Sequence, residues 1–141
     1  MNRRRQKKLN RRLMTASWST TGTETAALLR AGADPTARDP DGTTPLYAAA
    51  VHGNTEAVRL LLAAGAPPDE ESAGPGAEGT PLCAAACWGH TATVRTLLAH
   101  GANPDLAEDH GTGLTPLRWA RAGSHDETVA VLLAAGARDG V

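Results

Sequence analysis

The sequence predicts an all-α solenoid in which four helix-turn-helix units, the first degenerate, stack side by side and are joined by turn-rich fingers. Three observations predict it. Thr-Pro-Leu recurs at Thr44, Thr80 and Thr115; a Gly-Ala pair closes an apolar helical pattern at Gly32, Gly65, Gly101 and Gly136; and from each of those Thr to the next such Gly is 21 residues every time. The interval from Gly to the following Thr varies instead, at 12, then 15, then 14 residues. A constant segment is one whose length is fixed by packing, and a varying one is loop.

Taken in order, residues 1–10 read as a basic tail and residues 11–141 as the repeat domain. Displacing the chain by 33 residues places Arg11 on Thr44, and then Leu13 meets Leu46, Ala16 meets Ala49, and Leu28 and Leu29 meet Leu61 and Leu62. Residues 11–40 are therefore a first unit that has lost its Thr-Pro-Leu, as a unit with a neighbour on one side only can. In the units at about 41–73, 74–109 and 110–141, Thr caps an orphan N–H of the first helix and Pro takes the first helical position, where its missing N–H costs nothing. Gly53 and Gly89 end those helices as left-handed caps; in the last unit Gly123 comes one position early and Ser124 stands in its place. Val58, Leu61 and Leu62, then Val94, Leu97 and Leu98, then Val129, Leu132 and Leu133 mark the apolar side of each second helix. The longest connection, residues 67–79, holds Pro67, Pro68, Gly74, Pro75, Gly76 and Gly79, and is expected to be irregular and mobile.

Composition supports small-residue stacking. Ala accounts for 28 of the 141 residues, Phe is missing and aromatic residues reach only 3%, which excludes a core of large rings. At 41% apolar and 21% charged the chain has a globular composition; two Cys make no disulfide framework, and no apolar run approaches the roughly 20 residues of a membrane span. Arg3, Arg4, Arg5, Lys7, Lys8, Arg11 and Arg12 supply seven of the 14 basic residues with no acid among them, leaving seven basic against 15 acidic side chains in the rest. The early Arg cluster suggests an export signal, but the polar stretch from Leu9 to Thr21 offers no apolar segment to follow it, so a cytoplasmic location is expected. The Ala and Gly excess, with Arg as every basic residue after the first 12, is a compositional hint of a GC-rich bacterial genome.

These three Thr-Pro-Leu starts and four Gly-Ala stops resemble the ankyrin repeat, over roughly residues 11–139. The His that follows Thr-Pro-Leu in that family is replaced by Tyr47, Cys83 and Arg118. The resemblance implies a concave surface, lined by first helices and finger tips, that binds a partner protein. Carried over by position, the exposed side of the first helices takes Thr15, Trp18 and Ser19; Ala48, Val51 and His52; Ala84, Cys87 and Trp88; and Trp119, Ala122 and Gly123. All three Trp fall in this set. Trp18, Val51, His52, Cys87, Trp88 and Trp119 are the expected partner-binding residues of an adaptor or inhibitor, since Trp is enriched among interface anchors; covering gaps beneath the loops is the alternative role.

Cys83 and Cys87 lie one helical turn apart near His90, too few ligands for zinc and poorly placed for a disulfide, and read as reduced thiols. His52, His90 and His125 fall at inter-helix turns and His100 and His110 in loops, so the repeat itself accounts for them. No nucleophile, metal or phosphate-loop motif appears, and neither catalysis nor a cofactor is expected. The rival reading is a nucleic-acid or anionic-surface binder whose arm is Arg3, Arg4, Arg5, Lys7, Lys8, Arg11 and Arg12, against a solvated tail that aids solubility.

Overall fold

The computed structural model describes residues 2–138. Four helix pairs follow one another: α1 (Arg3–Ser17) with α2 (Thr23–Arg30), α3 (Pro45–Val51) with α4 (Thr55–Ala63), α5 (Pro81–Cys87) with α6 (Thr91–Ala99), and α8 (Pro116–Ala122) with α9 (Asp126–Ala134). Between α6 and α8 a single turn, α7 (Glu108–Gly111), is bent by left-handed Asp109 and His110. The helices α1, α3, α5 and α8 pack side by side in one layer and α2, α4, α6 and α9 in a second. This is the solenoid that the repeat predicts.

Local chemistry sets the helix ends. Thr44, Thr80 and Thr115 each accept a hydrogen bond from the backbone N–H three residues on, at 3.1 to 3.3 Å, with Pro at the first helical position. Each second helix closes with Gly at positive φ and paired bonds: Gly65 N–H reaches the Leu62 carbonyl and Ala66 N–H the Leu61 carbonyl, both at 3.0 Å. That geometry explains the Gly-Ala pair, because Gly supplies the left-handed turn and the following Ala is returned to the core.

Small residues let the layers approach. Ala49, Ala50, Ala85, Ala86 and Ala120 are fully buried, with Leu46, Leu82 and Leu117 beneath them and Val58, Leu61, Val94, Leu97 and Leu132 across from them. Side chains stitch adjacent units. Thr55 and Thr93 share a hydrogen bond at 2.8 Å, as do Thr91 and Thr128. Asn54 donates to the carbonyls of Ser19 and Thr21, while His90 Nε2 pairs with the Val51 carbonyl at 3.1 Å and His125 Nε2 with the Cys87 carbonyl at 3.0 Å.

Three expectations need correction. Residues 67–79 are not irregular throughout: β1 (Ser72–Gly74) and β2 (Ala77–Gly79) form an antiparallel hairpin in which Ser72 faces Gly79. Its turn is Pro75-Gly76 with Gly76 at φ 71°, so the residues read as breakers form a tight reversal. The hairpin is held from the preceding finger, where the Arg38 guanidinium donates to the carbonyls of Gly42 and Glu71 and to the Glu70 carboxylate, each at 2.8 Å. Secondly, the basic segment is not a tail, because α1 begins at Arg3, capped by Asn2, and runs unbroken across the boundary expected after residue 10. Leu9 is buried with Leu13 and Ala16, and Gln6 Nε2 donates to the Gly32 carbonyl at 3.0 Å, which fixes the early turns to the first unit. Thirdly, Ala48 and Ala84 are buried, not exposed, since the fingers fold over that side of their helices.

Candidate functional site: an aromatic and acidic groove

The expected binding residues separate into two places. Trp18 caps the C-terminus of α1 and meets the His52 ring edge-on, with centroids 4.7 Å apart and planes at 88°. This contact leaves Trp18 38% exposed. Val51 is half-buried against Tyr47, Ala77 and Ala84, a small apolar cluster beneath the hairpin. Cys87, Trp88 and Trp119 come together one unit further on, in a groove of about 480 Å³ that Tyr47, Glu78, Cys83, Ala84, Glu108 and Asp109 complete.

Each wall has a local cause. Trp88 is the C-cap of α5, just before the left-handed Gly89, so its side chain lies past the last packed turn and is 63% exposed. Trp119 is on the first turn of α8, in the column that holds Ala48 and Ala84 in the units before it. Its indole N–H donates to Glu108 Oε1 at 3.0 Å, which ties the groove floor to the α7 turn. Glu78 enters from the exposed position of β2 and Asp109 from the left-handed turn. Trp88 is thus open to solvent, whereas Trp119 is half-buried and its N–H is engaged.

The groove perturbs its titratable groups. Burial pushes the Glu108 carboxyl above the usual range, the Trp119 hydrogen bond opposing it, with the charges of Asp109 and Glu71 adding to the rise. Burial drives Cys83 to about 12, and its thiol points to the carbonyls of Leu114 and Leu106 at 3.6 and 3.9 Å. Cys87 is raised by burial and by Glu108; Tyr47 is raised by burial first and then by Glu108 and Glu78. Both thiols are free and held protonated, which is the opposite of what a nucleophile or metal ligand requires. Among the described residues no three His, Cys, Asp or Glu side chains gather as a metal site would need, and His90 is committed to the Val51 carbonyl.

The seven basic residues of the N-terminal segment are all exposed on α1. Arg12 pairs with Glu24 at 3.1 Å. Having three Arg in its first turn opposes the helix dipole, so α1 owes its stability to the Asn2 cap and to the packing of Leu9 and Leu13.

Sequence reasoning missed Tyr47, Glu78, Glu108 and Asp109 as groove residues. Tyr47 was visible as a departure at the position after Thr-Pro-Leu. The three acids lie in the two longest Gly-to-Thr intervals, and that extra length is the only signal that marked them.

Stacked helix pairs with fingers folded over one layer define a helical-repeat protein. The family profile described as ankyrin repeats (3 copies) matches residues 13–108 and 68–140, and the chain belongs to the ankyrin-repeat family. Repeats of this family are generally protein–protein interaction modules. No curated protein matches the chain. Among the described residues no helix is long and apolar enough to cross a membrane.

Proposed function

We propose that the protein is a non-catalytic adaptor or inhibitor that binds a partner protein through the face formed by Trp18, Val51, His52, Cys87, Trp88 and Trp119. One observation carries this reading: the large indole of Trp88 stands 63% exposed at the edge of a concave groove near the middle of the array. Central aromatic side chains ringed by smaller groups are where binding energy concentrates. The test starts with capture of the partner from the native host. Trp88→Ala should then cost about 2 kcal/mol or more of affinity, read by calorimetry. Its melting temperature should barely move, because the indole leaves solvent and not core. A strong loss of stability with affinity unchanged would mean that Trp88 packs and does not bind.

A second reading rests on the exposed cations of α1, which would dock nucleic acid or an anionic surface along one rigid helix. Deleting residues 1–10 is a poor test, since it removes half of a packed helix. Replacing Arg4, Arg5, Lys7 and Lys8 by Glu keeps the helix and should abolish any salt-sensitive binding to duplex DNA. Binding that survives the four replacements would exclude α1 as the contact.

A further inference from the structure

We infer that the groove between α5 and α8 is a socket for a cationic side chain of the partner, an arginine, seated against Trp88 and paired with Glu108. The inference rests on the concave-face reading and adds to it the chemistry of the group that enters. Glu78, Glu108 and Asp109 line the groove, and among the described residues its lining contains no lysine, arginine or histidine. The neighbouring cleft shares Glu78 and Asp109 and adds Glu71, but Glu71 is already occupied: it accepts the His110 backbone N–H at 3.0 Å and faces the His110 ring. Carboxylates and an open indole on one concave wall are the two features a guanidinium uses together, because its plane stacks on the ring while its fork of N–H groups meets the acid.

The alternatives are weaker on the same observations. An apolar side chain gains as much from Trp88, Ala84 and Tyr47, yet on closing it strips water from Glu108 and gives no donor in return, which is costly for a charged group. A phosphate or carboxylate meets three acids. The Glu108 carboxylate is held in place before anything binds, since the Trp119 indole N–H fixes Oε1 at 3.0 Å. A preset acceptor spares the partner the cost of ordering it. At about 480 Å³ the groove also has room for the residues flanking the arginine, so it suits a short extended segment.

The probe is the blocked tripeptide acetyl-Gly-Arg-Gly-amide, titrated to about 50 mM into the full chain, with the citrulline peptide as its neutral isostere. Indole N–H signals report the contact, each assigned from a Trp→Phe variant. The Trp88 and Trp119 signals should shift saturably with the arginine peptide while Trp18 stays still. Citrulline should bind at least about fivefold more weakly, and Glu108→Gln should reduce the arginine affinity by a similar factor. Gln keeps an oxygen for the Trp119 indole, so this variant is expected to fold. Equal binding of citrulline, an unaffected Glu108→Gln variant, or no saturable shift would each overturn the cation assignment. Those outcomes leave the concave face standing, whereas a captured partner indifferent to Trp88→Ala removes the face itself.

Discussion

Single positions carry departures from the repeat that cost stability, and aligned units show what belongs there. Thr25 sits where Val58, Val94 and Val129 sit in the later units; it is fully buried and its hydroxyl has no hydrogen-bond partner among the described residues. Thr25→Val should raise the unfolding free energy by about 1–2 kcal/mol, seen as a higher urea midpoint with an unchanged slope. Ser124 is the second case. It takes φ 59° where Gly53 and Gly89 take 67° and 71°, while Gly123 before it stays right-handed. Ser124→Gly should therefore stabilise by about 0.5–1 kcal/mol, measured in the same way. At Gly53 the reverse holds, since a Cβ there would lie 2.7 Å from His90 Nδ1 besides facing the positive φ. Cys83 gives the pH test. Its thiol is raised in the folded state from the ordinary value to about 12, so the folded chain keeps a proton that the unfolded chain releases. Stability from this group is complete below the ordinary thiol value and falls as pH climbs towards 12. At pH 8 burial holds the folded thiol protonated, and a thiol-specific chromogenic reagent should label unfolded protein far faster than native.

Elements were legible in the sequence wherever their signal is local. A Thr cap, a Pro at the first helical position and a Gly-Ala stop each act within a few residues, and so α3, α5 and α8 start, and α4, α6 and α9 end, where those residues stand. The hairpin was not legible, because Gly and Pro read as breakers until Arg38 and Gly42 of the preceding finger are brought beside them. The groove was hidden for the same reason: Tyr47, Glu78, Glu108 and Trp119 come from three units and meet only after stacking. The start of α1 was missed because its charges oppose the helix locally, while the contacts of Leu9 and Gln6 that favour it come from elsewhere. Leu9→Ala should accordingly cost about 2 kcal/mol in chemical denaturation, which a solvated tail would not. No change in midpoint would mean that α1 is docked only weakly at that end.

At the scale of the molecule, stability is shared between units, since the second-helix N-caps Asn54, His90 and His125 each reach into the unit before, Asn54 to the turn after α1 and the two His to the last carbonyls of α3 and α5. A unit cut from the array loses partners on its faces, and the described part of the chain is expected to unfold as one transition. The distribution of charge runs along the same axis. Seven cations gather on α1 at one end of the stack, while the carboxylates of the groove lie towards the other. The stack is therefore a macroscopic electric dipole, and it orients in the field of a charged body before any side chain touches. A cationic partner is turned away from the α1 end and drawn towards the third and fourth units, so its association rate should fall steeply as ionic strength rises while its dissociation rate changes little. Reversing the charge of Arg4 and Lys8 would raise that rate at low ionic strength and steepen its dependence on salt, by replacing repulsion with attraction at one pole, although neither residue lines the groove.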